Sequence, residues 1–417
     1  MLDIKLIREK TEQIKADLLK RVPADKLDLE IIISLDDKRR EIIDGLEKMQ
    51  AERNQASKSK PTPEVITAMK KMGGEIKERE TALAAVEKEL NDRLSELPNI
   101  PAADVVAGGK ENNEVIYTYG KPPKFNFTPK DHVTIATDLG IIDYERAVKM
   151  SGNGFWCYKG VGALLEWALL SYFIDFHTKN GYQFLIPPFL LTEKSAYTSG
   201  HLPKFRDDLY WTQDNLCLNA TSEMMLGNYH REEILPDEEL PLKYFAYSPC
   251  FRREAGSYRA EERGMVRGHQ FNKVEMFIFS KPENSWEMFA ELVQNAKKLV
   301  EGLDLHFQVS KLAAEDCSAA MAKTYDLEIY IPSMGIFKEV SSISSALDYQ
   351  ARRGSIRYKN KVTGKNEFVH TLNASGLATS RLIPAILEQN QQEDGSVIIP
   401  KALRPYLPRR IKVIKKD

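Results

Sequence analysis

Between residues 28 and 97, apolar positions return every three or four residues in a background of Glu, Lys and Arg. Ile32, Leu35, Arg39, Ile42, Leu46, Met49, Arg53 and Ala56 form one series. Met69, Met72, Ile76, Arg79, Leu83, Val86, Leu90, Arg93 and Leu97 form a second. A period of about 3.5 residues marks a seam between two helices. The segment Ser57 to Pro63 separates them, and its prolines end a helix. So short a break folds the second helix back on the first, which predicts an antiparallel coiled-coil hairpin. Such a hairpin serves either to join subunits or as an arm that reaches a large partner, and periodicity alone favours the first. Arg53, Lys58, Lys60, Lys70 and Lys71 near the tip suit phosphates as well as water.

After Asn99-Ile100-Pro101 the pattern changes, and the segment through Gly109 reads as the entry to a second domain. Ala163 to His177 is an apolar-rich helix, followed by a short extended stretch from Gly181 to Pro188. Leu242 to Cys250, Val274 to Phe279, Asp326 to Ile331 and Ile336 to Val340 have the composition of strands. Leu382 to Gln389 is helical and follows the small-residue run Asn373 to Gly376. Strands closed by helices predict an α+β fold with a largely antiparallel sheet. No βαβ alternation, GxGxxG or GxxxxGK[ST] occurs, which argues against doubly wound and P-loop nucleotide folds.

Composition narrows the function. The 417 residues exceed one ordinary core, so two domains are expected. Net charge is −1, so any nucleic-acid contact uses local basic patches rather than a global field. The four cysteines (157, 217, 250 and 317) are far apart and form no CxxC pair, which argues against a disulfide framework and against zinc. Charges inside the first apolar stretch, Met1 to Arg8, exclude a secretory segment, and no run approaches a membrane span. A soluble, cytoplasmic protein is expected.

Four short pieces carry candidate chemistry. Phe251-Arg252-Arg253-Glu254 and Arg267-Gly268-His269-Gln270-Phe271 read as two strands joined by a Gly/Arg loop, with Arg252 and Arg267 on neighbouring strands. Guanidinium forks suit phosphate oxygens, and Phe271 offers a face on which a base can stack. Glu339-Val340-Ser341-Ser342 sets a carboxylate three residues before a hydroxyl, a pairing that suits magnesium. Ser375 to Leu382 combines small residues with Arg381 at a helix start, letting backbone approach a ligand. In Thr221-Ser222-Glu223 a hydroxyl and a carboxylate are separated by one residue, so on an extended strand they would share a face and hold an ammonium group. Taken singly, each has an ordinary alternative as surface charge, a helix cap or a strand edge.

Together these pieces resemble the bacterial-type seryl-tRNA synthetases, class II aminoacyl-tRNA synthetases, over essentially the whole chain. The likeness runs from Met1–Arg8 through Pro98–Pro101, Pro122–Phe125 and His201–Phe205. It is densest in Thr221–Glu223, Phe251–Gly256, Arg263–Phe271 and Tyr325–Glu328, and it continues through Gln350–Arg353, His370–Asn373 and Gln391–Gly395. The resemblance implies an N-terminal tRNA-binding domain over 1–103, with its coiled-coil arm at about 28–97, and a class II catalytic domain over 104–417. It implies ATP-dependent activation of L-serine and transfer to tRNA(Ser), and to tRNA(Sec) where one is present. It also implies a homodimer with Pro187 at its interface.

The same resemblance distributes roles among residues. Arg252 holds the α-phosphate and the acyl carboxylate, and Glu254 the adenine amino group. Phe271 and Arg381 cover the adenine faces, and Arg267 joins Arg381 on the outer phosphates. Glu339 and Ser342 ligate magnesium. Arg253, Val340 and Ser341 belong to the ATP-facing segments. Thr221, Ser222 and Glu223 form the ammonium site, and Glu275 and Ser375 bind the serine hydroxyl. The chain departs from the family at Ser257–Glu262, at Glu315, Ala374 and Ser380, and at Leu164. Two other readings compete: a paralogue that passes its activated amino acid to a non-tRNA acceptor, and a non-catalytic interaction protein.

Overall fold

The computed structural model describes residues 1–57, 62–254 and 264–416, and the chain divides into two compact units, Met1–Ile100 and Pro101–Asp417. In the first unit the two apolar series form helices over Leu29–Ala56 and Pro63–Glu96. Each begins on a side-chain cap. The Asp28 carboxylate accepts from the Ile31 N–H at 3.1 Å, and the Thr62 hydroxyl accepts from the Val65 N–H at 3.3 Å. Pro63 stands in the first turn of the second helix, where its missing N–H costs nothing.

Ile32, Leu35, Leu46, Ile76, Val86, Leu90 and Leu94 are the buried seam residues of the hairpin. Arg93, expected on that seam, is exposed, and Leu94 replaces it. The spacing from Val86 to Leu90 to Leu94 is four and four, so the stripe drifts as on a straight helix rather than holding a 3.5-residue repeat. Among the described residues between Leu46 and Ile76 none is buried, so the outer part of the hairpin faces water. Lys58 and Lys60 lie outside the described residues.

At the base of the hairpin, Asp36 is fully buried and ringed by arginines. Arg8 Nη1 lies 3.3 Å from its carboxylate, Arg39 Nη2 2.9 Å and Arg40 Nε 2.8 Å. Removing the carboxylate would leave three guanidinium groups without their shared anion. Asp36→Ala should therefore destabilise this unit by about 3 kcal/mol, measured as loss of helical ellipticity in urea. An unchanged midpoint would show that the cluster is surface decoration.

The second unit is built on an eight-stranded sheet. Its strands are β1 (Glu114–Tyr119), β2 (Gln183–Leu185), β3 (Leu242–Phe251), β4 (Gln270–Ser280), β5 (Phe307–Lys311), β6 (Lys323–Ile331), β7 (Ile336–Leu347) and β8 (His370–Ala378). The order is β1-β5-β6-β7-β8-β4-β3-β2, antiparallel throughout except for the parallel β2–β3 pair. This is the α+β architecture expected. β7 runs well past the expected Val340, because Ser341, Ser342, Ser344 and Ser345 hide a strand behind small polar residues.

β4 lies inside the sheet, and its alternation sets the site. Val274, Met276 and Ile278 enter the main core with Leu169 and Phe173 of the helix Val161–Lys179 and Leu292 and Leu299 of the helix Ser285–Gly302. Phe277 and Phe279 join a second core with Leu226, Ile356 and Tyr358. The odd-numbered residues Lys273 and Glu275 therefore share the face opposite the main core. No helix among the described residues is long and apolar enough to cross a membrane.

Candidate active site

A cavity of about 340 Å³ opens over that face of β4, lined by Thr221, Glu223, Arg252, Lys273, Glu275 and Ser375, among others. A smaller recess of about 40 Å³ lies beside it, lined by Arg267, Phe271, Val340 and Arg381, with Arg252, Glu254 and Glu339 common to both. The structure thus brings most of the sequence-derived candidates into one place.

Thr221 and Glu223 reach the cavity by a different route from the one expected. They do not lie on an extended strand: Ser222 has helical dihedrals, and Glu223 opens the short helix Glu223–Leu226. The turn brings both side chains to the cavity wall and sends Ser222 the other way. The Ser222 hydroxyl shares a hydrogen bond with that of Ser248 at 2.7 Å, so it braces the turn and does not line the cavity. The Glu223 carboxylate accepts from the Gln350 amide at 2.7 Å. Burial, and then the neighbouring Glu275, push its carboxyl up to about 7.

Glu275 sits at the floor. It accepts from Asn373 Nδ2 at 3.1 Å and from the Ser375 hydroxyl at 3.3 Å. Lys273 Nζ lies 2.5 Å from its carboxylate and donates to the Thr221 hydroxyl at 2.7 Å. His201 also lines the cavity, and burial pushes its imidazole down to about 3, so it is neutral. Its Nδ1 pairs with the Ser199 hydroxyl at 2.9 Å.

Arg252 and Arg267 do not stand within the strands: β3 ends at Phe251 and β4 begins at Gln270. The ladder carries on for one step, with the Arg252 N–H donating to the His269 carbonyl at 2.9 Å. Arg252 Nε donates to the Ala220 carbonyl at 3.3 Å, and its guanidinium lies 5.2 Å from the Phe271 ring centre. Arg267 pairs with the Glu254 carboxylate at 2.7 Å. Arg381 Nη1 donates to the Glu339 carbonyl at 2.7 Å and lies 3.4 Å from its carboxylate. Arg253 is exposed and lines neither space. Arg259, Arg263 and the loop 257–262 lie outside the described residues.

Glu339 and Ser342 both line the cavity, although strict strand alternation would place residues three apart on opposite faces. A register shift resolves this. Ser341 pairs with Leu327 while Glu339 pairs with Glu328, so Val340 is an extra residue that resets the alternation. The Ser341 hydroxyl turns away and donates to the Ser375 carbonyl at 2.6 Å. The Ser342 hydroxyl donates to Asp326 at 2.7 Å, and burial, followed by Glu339, pushes the Asp326 carboxyl well above the usual range. A second irregularity falls at Gly376 on β8, where a Cβ would come within 2.4 Å of His177 Nε2. Only glycine leaves room for that ring behind the site.

Sequence reasoning gave no role to Lys273, Asn373, Gln350, His201 or Asp326. Only Lys273 carried a local signal, since a position two residues before Glu275 on a strand shares its face.

A model of the tRNA synthetase class II core domain (G, H, P, S and T) matches residues 204–390, and one of the seryl-tRNA synthetase N-terminal domain matches residues 1–101. Serine–tRNA ligase 2 of Clostridium acetobutylicum is 51% identical, covering 98% of this chain and 99% of its own. Serine–tRNA ligase of Methylacidiphilum infernorum is 44% identical, covering 97% and 99%. The crystal structure of seryl-tRNA synthetase from Pyrococcus horikoshii complexed with ATP superposes with a TM-score of 0.93 at 34% identity, covering 100% of both chains.

Proposed function

The chain belongs to the seryl-tRNA synthetases, and from that premise we propose that its larger cavity holds L-serine, with the nucleotide running from that cavity across the smaller recess. As a class II serine–tRNA ligase it joins serine to tRNA at the expense of ATP. The alternative of a non-tRNA acceptor is not favoured, because the serine–tRNA ligases it resembles match it over nearly the full length, hairpin included. The observation that carries the assignment of the cavity is its division of charge. Glu223 and Glu275 line the larger cavity and not the recess, Arg267 and Arg381 line the recess and not the cavity, each paired there with a carboxylate, Glu254 or Glu339, and Arg252 lines both.

In this reading the serine ammonium group sits on Glu223 and Thr221, and its hydroxyl donates to Glu275. Its carboxylate meets Arg252, which also faces the α-phosphate. A serine carboxylate oxygen attacks the α-phosphorus, the bond to the β-phosphate oxygen breaks, and pyrophosphate leaves toward Arg267 and Arg381. The 3′-terminal ribose hydroxyl of the tRNA then attacks the acyl carbon and AMP departs. No side chain forms a covalent bond, so the protein contributes positioning and neutralisation of charge. The oxygen donors Glu339 and Ser342, the latter anchored by Asp326, suit magnesium, which would neutralise phosphate charge there. Adenine rests on Phe271, with Glu254 toward its amino group.

The first unit would grip tRNA(Ser), and tRNA(Sec) where one exists, through the hairpin. Its longer helix has 34 residues and so extends about 50 Å. Arg53, Lys70 and Lys71 are exposed in its outer part. The homodimer has support in Ile186, next to Pro187 in the chain and 74% exposed. Work in the cytoplasm accords with the cysteine usage, four residues far apart in the sequence with no CxxC pair.

Serine-dependent pyrophosphate exchange, followed by charging of total tRNA, tests the reading. Exchange absent under any condition would overturn it. The ammonium site adds a pH signature. Above about pH 7 Glu223 is ionised, and below that it takes up a proton and loses its pull on the ammonium group. KM for serine should therefore rise about tenfold per pH unit below 7, with KM for ATP nearly constant. A flat serine KM from pH 5.5 to 8, by an order-of-magnitude criterion, would remove Glu223 from the ammonium site.

A further inference from the structure

Lys273 has no part in the chemistry above, yet it occupies the junction of the two spaces and lines both. Its side chain is only 7% exposed, and Glu275, to which it is paired, is 1% exposed. Long charged side chains are rarely buried unless their charge is answered, and here both charges answer each other. The other donors on Glu275, Asn373, Ser375 and, at 3.5 Å, Thr221, are neutral. Glu223, across the cavity, is held by the neutral amide of Gln350.

An amino acid with a neutral side chain brings one ammonium group to the part of the cavity where Glu223 and Glu275 lie near each other; Glu254 and Glu339, which also line it, are paired with Arg267 and Arg381. Without further charge, that ammonium group would have two places to settle. The Lys273–Glu275 pair removes one of them. It still leaves one lone pair on Glu275 Oε1, which accepts from Asn373, for an uncharged O–H donor.

We propose that Lys273 is a specificity-determining residue: paired with Glu275, it reserves that carboxylate for a neutral hydroxyl and directs the substrate ammonium group to Glu223. The inference rests on the reading that Glu275 receives the serine hydroxyl. Its consequence is rejection of a side chain of serine's size that carries positive charge. The fitting probe is L-2,3-diaminopropionate, in which an ammonium group replaces the hydroxyl. Placed at Glu275, that group would stand against the Lys273 ammonium, and like charges so placed repel strongly.

The test measures inhibition of serine-dependent pyrophosphate exchange by L-2,3-diaminopropionate and by L-alanine. In the unaltered protein, diaminopropionate should inhibit no better than alanine, although it matches serine more closely in size. Lys273→Gln keeps a neutral donor near Thr221 and Glu275 while deleting the charge. In that variant the affinity for diaminopropionate relative to serine should rise on the order of tenfold to a hundredfold. Lys273→Arg should return the ratio to its original value, which a purely structural role would not require. An unchanged ratio in folded Lys273→Gln overturns the proposal, as does diaminopropionate inhibiting the unaltered protein as strongly as serine. Should Lys273→Gln fail to fold, judged by its melting curve, the comparison in the unaltered protein decides alone. Alanine inhibiting as strongly as serine would instead overturn the assignment of Glu275 beneath the proposal.

Discussion

Arg252→Ala is expected to lower serine-dependent pyrophosphate exchange by about a thousandfold, with the fall mainly in kcat. In the proposed reading Arg252, the arginine among the described residues that lines both spaces, touches both the attacking carboxylate and the phosphate under attack, whose like charges repel until a cation lies between them. A guanidinium offers a fixed fork of donors to two oxygens at once. Arg252→Lys should recover little of the loss, because a single ammonium cannot span both partners. The fold should survive either change. The Arg252 N–H bond to His269 involves backbone alone, and its side chain makes a 3.3 Å bond to the Ala220 carbonyl at the edge of the cavity. A melting temperature near that of the parent, with exchange lost, is the expected pair of results. Exchange within about tenfold of the parent would move the carboxylate and α-phosphate to another cation.

Shortening the hairpin should separate the two halves of the reaction. Arg79 crosses Gly45 closely, since a Cβ at Gly45 would meet its guanidinium at 2.5 Å. Removing residues 48–75 and closing the gap with a glycine-rich turn cuts the arm beyond that crossing. It keeps the buried seam of Leu35, Leu46, Ile76, Val86 and Leu90, and it keeps the Asp36 cluster. Exchange needs only the second unit, so it should stay within about twofold of the parent. Charging of tRNA should fall in kcat/KM by about a hundredfold, because Arg53, Lys70 and Lys71, proposed to meet tRNA phosphates, are gone. Normal charging by the shortened protein would return the hairpin to the role of a dimerisation element. Loss of exchange together with charging would mean that the arm supports the catalytic unit.

The sequence made the class of fold and the neighbourhood of the site legible, and it failed where local geometry broke a period. The hairpin could be read because apolar positions repeat, but a repeat cannot tell where a straight helix drifts out of register. Hence Leu94 is buried where Arg93 was expected. Glu339 and Ser342 pair in sequence as a carboxylate three residues before a hydroxyl, and no strand rule would have put them on one face. The register shift at Val340 does so, and a bulge of this kind leaves little trace in composition. Thr221 and Glu223 were assigned a common face for the wrong reason, since a turn into a helix does the work expected of a strand. Lys273 was overlooked because a lysine two residues from a glutamate looks like ordinary strand-surface charge. Only burial at 7% and 1% exposure shows that the pair lies inside the cavity.

The central claim is the orientation of serine between two carboxylates. A crystal structure with the non-hydrolysable 5′-O-(N-L-serylsulfamoyl)adenosine bound tests it most directly. The expected density places the seryl ammonium group on Glu223 and Thr221, its hydroxyl on Glu275, and adenine against Phe271. An ammonium group on Glu275, or a seryl group lying outside the cavity over β4, would contradict the account.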